Sequence, residues 1–279
     1  MNIIEIRDLC FGYEKDSLDL KNINMDIKKG SVTTILGGNG AGKSTLFLNL
    51  NGVLKPLSGQ VKVDGEVLTY DKKSLNQMRR NVGIVFQDPD DQLFSADVYR
   101  DISFGAVNLG LPKEEVIKRV DAAMEKTNIS HLADRPAHAL SYGQKKRVAI
   151  AGVLVMEPKV IILDEPTAGL DPKGVEEITD LLQKLSRDKG ITIIIATHDM
   201  DLVSKISDYI YILKDGQVTG KGNPSEIFSN PQLLYQNDLG IPILNQLMHK
   251  LYEEDSLNVD RGAFLMEDVR NEIKKLISP

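Results

Sequence analysis

Gly37-Gly38-Asn39-Gly40-Ala41-Gly42-Lys43-Ser44 follows directly on the apolar run 32–36, VTTIL, and opens a helical pattern. The eight residues fit G-x-x-x-x-G-K-[ST] in the context that gives the pattern meaning, a strand in front and a helix behind. Glycines let main-chain N–H groups close round phosphate oxygens, and the N-terminus of the following helix favours negative charge. Lys43 is placed to reach terminal phosphates, and Ser44 to offer its hydroxyl to Mg2+. A glycine-rich turn that merely opens a helix is the plainer alternative, and the preceding strand weighs against it.

Three more runs resemble 32–36 in being apolar almost throughout: 82–86, 160–163 and 192–196. Continuous apolar strands are expected where helices cover both faces of a parallel sheet, so the fold class is α/β. The runs end in Gly37, in Gln87, in Asp164 with Glu165, and in Thr197 with His198. Ligands of open α/β sheets sit at the carboxyl ends of the strands, so four segments deliver chemistry to one edge. Around this core, residues 1–26 and 60–68 alternate as an antiparallel side sheet. Residues 88–139 read as a mostly helical insert, with a helix from Pro112 carrying Val116, Val120, Ala123 and Met124 at helical spacing. From Asn230 the pattern changes to two helical segments. The expected division is a domain over 1–238, with its helical insert at about 88–139, and a helical extension over 239–279.

Asp164 and Glu165 end a buried strand. Neighbouring strand residues face opposite ways, which gives the two carboxylates different tasks. Asp164 is suited to hold Mg2+ and Glu165 to orient or deprotonate a water. A surface Asp-Glu pair opening a turn before Pro166 is the alternative. Ser141 and Gln144 of Leu140-Ser141-Tyr142-Gly143-Gln144 fit a capping box ahead of a helix over 145–156. Lys145, Lys146 and Arg147 crowd the first turns of that helix, where the dipole disfavours cations by about 0.3–1 kcal/mol each. Either a docked anion or acidic neighbours would account for them. His131, His138 and His249 form no ligand spacing, and Asp88, Asp90 and Asp91 lack the pattern of a calcium loop, which favours a solvated turn.

The chain has 279 residues, 42% hydrophobic and 27% charged, which bounds it to one large domain with a small appendage. Its formal net charge of -6 gives no basic footprint for nucleic acid. Cys10 is the single cysteine, which excludes an internal disulfide and fits a reducing cytosol. Charges at Glu5, Arg7 and Asp8 interrupt what would be the apolar core of a signal peptide. No apolar run reaches the roughly 18–20 residues of a membrane span, so a membrane role would need another chain.

Taken together, these motifs resemble the ATP-binding cassette (ABC) family over about residues 1–230. Residues 37–44, with Thr45 after them, are similar to its Walker A loop and 160–165 to Walker B with the catalytic glutamate. Gln87 resembles the Q-loop glutamine, 140–144 the LSGGQ signature, 168–171 (Ala-Gly-Leu-Asp) the D-loop, and His198 the switch histidine. Tyr142 departs from the signature's usual glycine. The resemblance implies catalytic roles for Glu165, His198 and Gln87, and Mg2+ held by Ser44, Gln87 and Asp164. It implies adenine stacking on Tyr13, with Phe11 as the competing aromatic. It further implies two subunits paired head to tail, with Ser141, Gly143 and Gln144 acting on the partner's ATP and the cations at 145–147 beside its phosphates. VFQDPDDQLF at 85–94 and DISFG at 101–105 resemble the energy-coupling factor ATPases, and LSYGQKKRVAIAGVL the cobalt-type (CbiO) group.

That narrower likeness implies cobalt or nickel uptake, with a vitamin importer as the alternative. It also implies a second ATPase subunit, identical or related, a transmembrane coupling subunit, a substrate-capturing membrane subunit, and a place on the cytoplasmic side of the cell membrane. The segment 88–94 is expected to line the groove for the membrane subunit. A non-transport cassette ATPase of DNA repair or translation is the different-class alternative. No sustained heptad run and only one set of motifs argue against it. In the extension, Ile243, Leu247 and Leu251 share a face, as do Val269, Ile273 and Leu276. They would pair subunits or pack on their own domain.

Overall fold

The computed structural model describes residues 1–14 and 17–277. In chain order, β1 (Asn2–Phe11), β2 (Leu20–Lys28) and β3 (Val32–Leu36) lead to α1 (Lys43–Leu50). Then come β4 (Ser58–Val63), β5 (Glu66–Val67), α2 (Lys72–Asn81) and β6 (Val82–Val85). The insert contributes α3 (Val98–Asn108), α4 (Lys113–Lys126) and α5 (Tyr142–Leu154). The chain re-enters the sheet through β7 (Val160–Asp164), α6 (Pro172–Lys189), β8 (Thr192–Thr197), α7 (Met200–Ile206), β9 (Tyr209–Lys214) and β10 (Gln217–Gly222). It closes with α8 (Pro224–Phe228), α9 (Pro231–Gln236), α10 (Ile243–Glu253) and α11 (Met266–Ile277).

The central sheet runs β10-β9-β3-β8-β7-β6, parallel except for the β10–β9 hairpin. Its parallel strands β3, β6, β7 and β8 are buried almost throughout because both faces are covered. Ile161, Leu163, Ile193 and Ile195 pack towards the insert helices and α6. Their neighbours Ile162, Ile194 and Ala196 pack towards α1 and the side sheet. Each fully buried branched side chain contributes roughly 1.5–3 kcal/mol. The side sheet, β2-β1-β4-β5, is antiparallel, as expected from the alternation in 1–26 and 60–68. Parallel registry brings Leu36 opposite Thr197 and Asp164 opposite Ala196, so the four polar strand ends lie along one edge.

Several local expectations shift. Pro112 is the residue before α4 rather than its first turn, while Val116, Val120, Ala123 and Met124 are buried as read. The signature helix starts at Tyr142 and ends at Leu154, not 145–156, because Ser141 and Gln144 cap it there reciprocally. Beyond Asn230 the described residues form three helices rather than two segments. The connection at 239–241 is not a free linker: Leu239 and Ile241 are buried with Leu36, Val203, Ile210 and Ile212 of the sheet layer. On α10 the buried side chains are Asn245, Met248 and His249, whereas Ile243 and Leu247 are exposed. Leu251, Val269 and Ile273 pack inside the extension's own cluster, and Leu276 stays on the surface.

Candidate functional site

The loop at 37–44 is shaped by its glycines. Gly42 has φ 102°, a left-handed conformation that only glycine adopts readily, and it starts α1. A Cβ on Gly37 would stand 2.4 Å from the carbonyl oxygen of Leu213, so only a glycine lets β9 approach. Lys43 is buried and donates to the carbonyls of Gly37 at 2.6 Å and Gly38 at 3.0 Å. A cleft of about 550 Å3 opens over the loop. It is lined by Gly38, Asn39, Gly40, Ala41, Gly42, Lys43, Ser44 and Thr45, and across from them by Gln87, Asp164, Glu165 and His198.

The two carboxylates diverge as expected, but the device is sharper than strand alternation. Glu165 lies beyond the end of β7 with φ 44°, in the left-handed region, which costs an ordinary residue about 1–2 kcal/mol. Its N–H donates to Ala196 O at 2.9 Å, and its carbonyl accepts from Ala168 N at 3.2 Å. Asp164 turns to the loop, where Ser44 Oγ donates to its Oδ2 at 2.7 Å. Burial raises the Asp164 pKa, and the Ser44 hydrogen bond opposes that rise. Glu165 turns to β8: Thr197 Oγ1 donates to its Oε2 at 2.9 Å, and His198 Nδ1 lies 2.8 Å from Oε1. An ionised carboxylate selects the tautomer in which Nδ1–H is the donor.

Gln87, Ser44 and Asp164 also line a neighbouring cleft of about 390 Å3, together with Tyr142. Ser141, Gly143 and Gln144 do not line the cleft over the 37–44 loop of their own chain. The cations after them find partners within the chain, the acidic neighbours that were one of the two accounts of them. Lys145 donates to Asp90 at 2.6 Å, and Arg147 pairs with Glu177 and donates to Thr127 O. Lys146 donates to Gln87 O at 2.7 Å and Glu165 O at 2.9 Å. Burial pushes its pKa down to about 8. Asp88 caps a short 3-10 turn at Pro89–Asp91, the solvated turn expected there. Among the described residues no cluster of His, Cys, Asp and Glu could hold a metal ion by itself.

Phe11 is buried and Tyr13 is 61% exposed, with the rings edge to face at 5.0 Å, so of the two aromatics Tyr13 presents its ring at the surface. A separate apolar groove of about 460 Å3 runs between the sheet edge and the insert. Leu93, Phe94 and Phe104 line it beside Arg79 and Arg80, whereas Asp91 faces the smaller cleft. Residues of this region that escaped the sequence reading include Thr197 as a partner of Glu165, Lys146 as a strut, and Asp215 with Gly216 on the cleft wall. The Asp-Gly pair between two β-branched runs was the legible signal, since it marks a hairpin.

Residues 20–168 match the family model described as ABC transporter. The energy-coupling factor transporter ATP-binding protein EcfA3 of Clostridium perfringens is 54% identical over 271 residues, 97% of this chain and 95% of that one. The corresponding EcfA protein of Methanocaldococcus jannaschii is 48% identical over 276 residues, 99% of both chains. Among solved structures, cbiO1 from Clostridium perfringens, described as part of the ABC transporter complex cbiONQ, superposes with a TM-score of 0.78 at 55% identity, covering 89% of this chain and 99% of that one. A dimeric ATP-binding cassette in a post-hydrolysis state with ADP and Pi gives 0.72 at 30% identity, covering 79% and 98%.

Proposed function

The chain belongs to the ABC transporter family, as an ATP-binding protein of the energy-coupling factor type, and on that premise we propose that it hydrolyses ATP to power an importer of cobalt or nickel. The observation that carries the chemistry is the divergence of Asp164 and Glu165 across one cleft, one carboxylate on Ser44 and the other on Thr197 and His198. Glu165 polarises the attacking water, and His198 and Thr197 fix its carboxylate. The main-chain N–H groups of 37–45 and the Lys43 ammonium bind the phosphates, and Tyr13 stacks on adenine. Gln87 lies at the junction of cleft and insert. Ser141, Gly143 and Gln144 act on the ATP of a second ATPase subunit.

The Ser44 hydroxyl, the Asp164 carboxylate and the Gln87 amide form an all-oxygen donor set of the kind Mg2+ takes. The burial that raises the Asp164 pKa is a cost that a neighbouring cation offsets, which supports the fit. Bound there, Mg2+ would neutralise charge on the terminal phosphates.

No helix among the described residues is long and apolar enough to cross a membrane. We place the chain on the cytoplasmic face of the cell membrane, docked to a transmembrane coupling subunit that works with a substrate-capturing subunit. The 460 Å3 groove, with Phe94 and Phe104 exposed on it, is the surface for that coupling subunit. The cargo rests on the likeness to cbiO1. Uptake of radiolabelled cobalt by cells expressing the complete transporter tests it. ATP-dependent uptake of a vitamin with no metal uptake would replace the cargo and leave the ATPase reading standing.

A further inference from the structure

Lys146 is fully buried, and its two partners are main-chain carbonyl oxygens, Gln87 O and Glu165 O, rather than a carboxylate. Neither carbonyl depends on it. Gln87 O also accepts from the Tyr142 hydroxyl at 3.2 Å, and Glu165 O from Ala168 N. Burying an ammonium is costly, and an apolar side chain would fill the same place without that cost. What the ammonium adds is a link. It stands on α5, which packs among the insert helices, and bridges the start of the insert to the residue after β7. Tyr142 covers it, with the ammonium 5.6 Å from the ring centre, and the ring also lies against Gly169, where a Cβ would come within 3.1 Å of Cε1.

We propose that Lys146, with the Tyr142 hydroxyl, is a positioning residue that ties the Gln87 segment to the backbone of Glu165, so that the placement of the insert sets the aim of the carboxylate. Glu165 is held in a left-handed conformation at both its N–H and its carbonyl. A shift of residue 87 pulls on the same ammonium that grips the Glu165 carbonyl. Tyr142, standing where related signatures carry glycine, supplies the second hydrogen bond and the cover. The inference rests on reading Glu165 as the group that polarises water.

The test compares Lys146→Met and Tyr142→Phe with wild type in the full-length chain. It measures kcat and KM for ATP, the stoichiometry and affinity of a non-hydrolysable ATP analogue, and the melting temperature. Lys146→Met is expected to bind one analogue per chain within about twofold of the wild-type affinity and to lose roughly tenfold or more in kcat. Tyr142→Phe, which deletes only a hydroxyl, is expected to lose about two- to fourfold in kcat with the melting temperature unchanged. A purely structural role would lower the melting temperature or the number of binding sites and leave kcat per bound nucleotide alone, and that result overturns the proposal. Should Lys146→Met fail to fold, Tyr142→Phe at the wild-type kcat overturns it. A wild-type chain without ATPase activity, or Glu165→Gln at the wild-type rate, would count against the role of Glu165 instead.

Discussion

His198 Nδ1 lies 2.8 Å from Oε1 of Glu165, and the Glu165 side chain is 8% exposed while that of His198 is 69% exposed. The imidazole therefore caps a carboxylate that solvent scarcely reaches, and Thr197 holds the other oxygen. His198→Ala should cut kcat by about 10- to 100-fold. Thr197→Val should cost less, because one of the two holds remains. Neither change touches the phosphate loop, so nucleotide affinity should stay put. A weaker affinity with unchanged kcat in either variant would move these residues from chemistry to binding.

Binding itself should depend on Lys43 and Tyr13. Lys43→Ala deletes the ammonium proposed to bind phosphate and should weaken nucleotide affinity strongly. Tyr13→Ala should weaken it by about 1–3 kcal/mol, by analogy with base stacking in nucleic-acid sites, while Tyr13→Phe keeps the ring and should be mild. Titration with a fluorescent ATP analogue reads all three. Wild-type affinity in Tyr13→Ala would remove that ring from the site.

The groove makes a separate prediction. Phe94 and Phe104 meet edge to face at 4.8 Å, both substantially exposed. Phe94→Asp with Leu93→Ala should abolish co-purification with the membrane subunits while the isolated chain keeps its ATPase rate. Intact assembly in that double variant would place the docking surface elsewhere. Asp91 faces the smaller cleft, so its charge reversal should matter less to assembly.

Lys146 also gives stability a pH dependence. Its pKa is lowered from 10.5 to about 8 in the fold. Between those values the folded chain has released the proton and the unfolded chain still binds it, so folding stability rises with pH through this window. The penalty is full below pH 8. Relative to Lys146→Met, the wild type should gain up to roughly 3 kcal/mol between pH 7 and pH 10.5, at 1.4 kcal/mol per pKa unit. Chemical denaturation at several pH values measures the gap. A gap that does not change with pH would mean that Lys146 is not charged and buried together.

Much of this site was readable before any coordinates. The runs 32–36, 82–86, 160–163 and 192–196 announced themselves because burial on both faces removes alternation, and their polar ends then had to share an edge. The long-range partners were not readable. Asp90, Glu177 and three main-chain carbonyls answer the cations at 145–147 across the fold, and nothing local in the sequence separates such partners from a docked anion. The stripe on α10 was ambiguous for a different reason. Apolar residues at 243, 244, 247, 248 and 251 allow two overlapping helical faces, and packing chose Leu244 and Met248 over Ile243 and Leu247. Periodicity alone does not distinguish faces so close in angle.

The central claim is that Glu165 drives hydrolysis within a pair of subunits that close around ATP. Glu165→Gln keeps the shape, removes the base, and removes a negative charge close to the phosphate cleft. Sizing with MgATP beside a steady-state ATPase assay tests the claim most directly, with Ser141→Arg as the variant that should bind ATP yet fail to pair. The account predicts that Glu165→Gln loses about 10²–10⁴-fold in rate and elutes as a persistent ATP-bound dimer. Hydrolysis at the wild-type rate, or a chain that stays monomeric with MgATP, would contradict it.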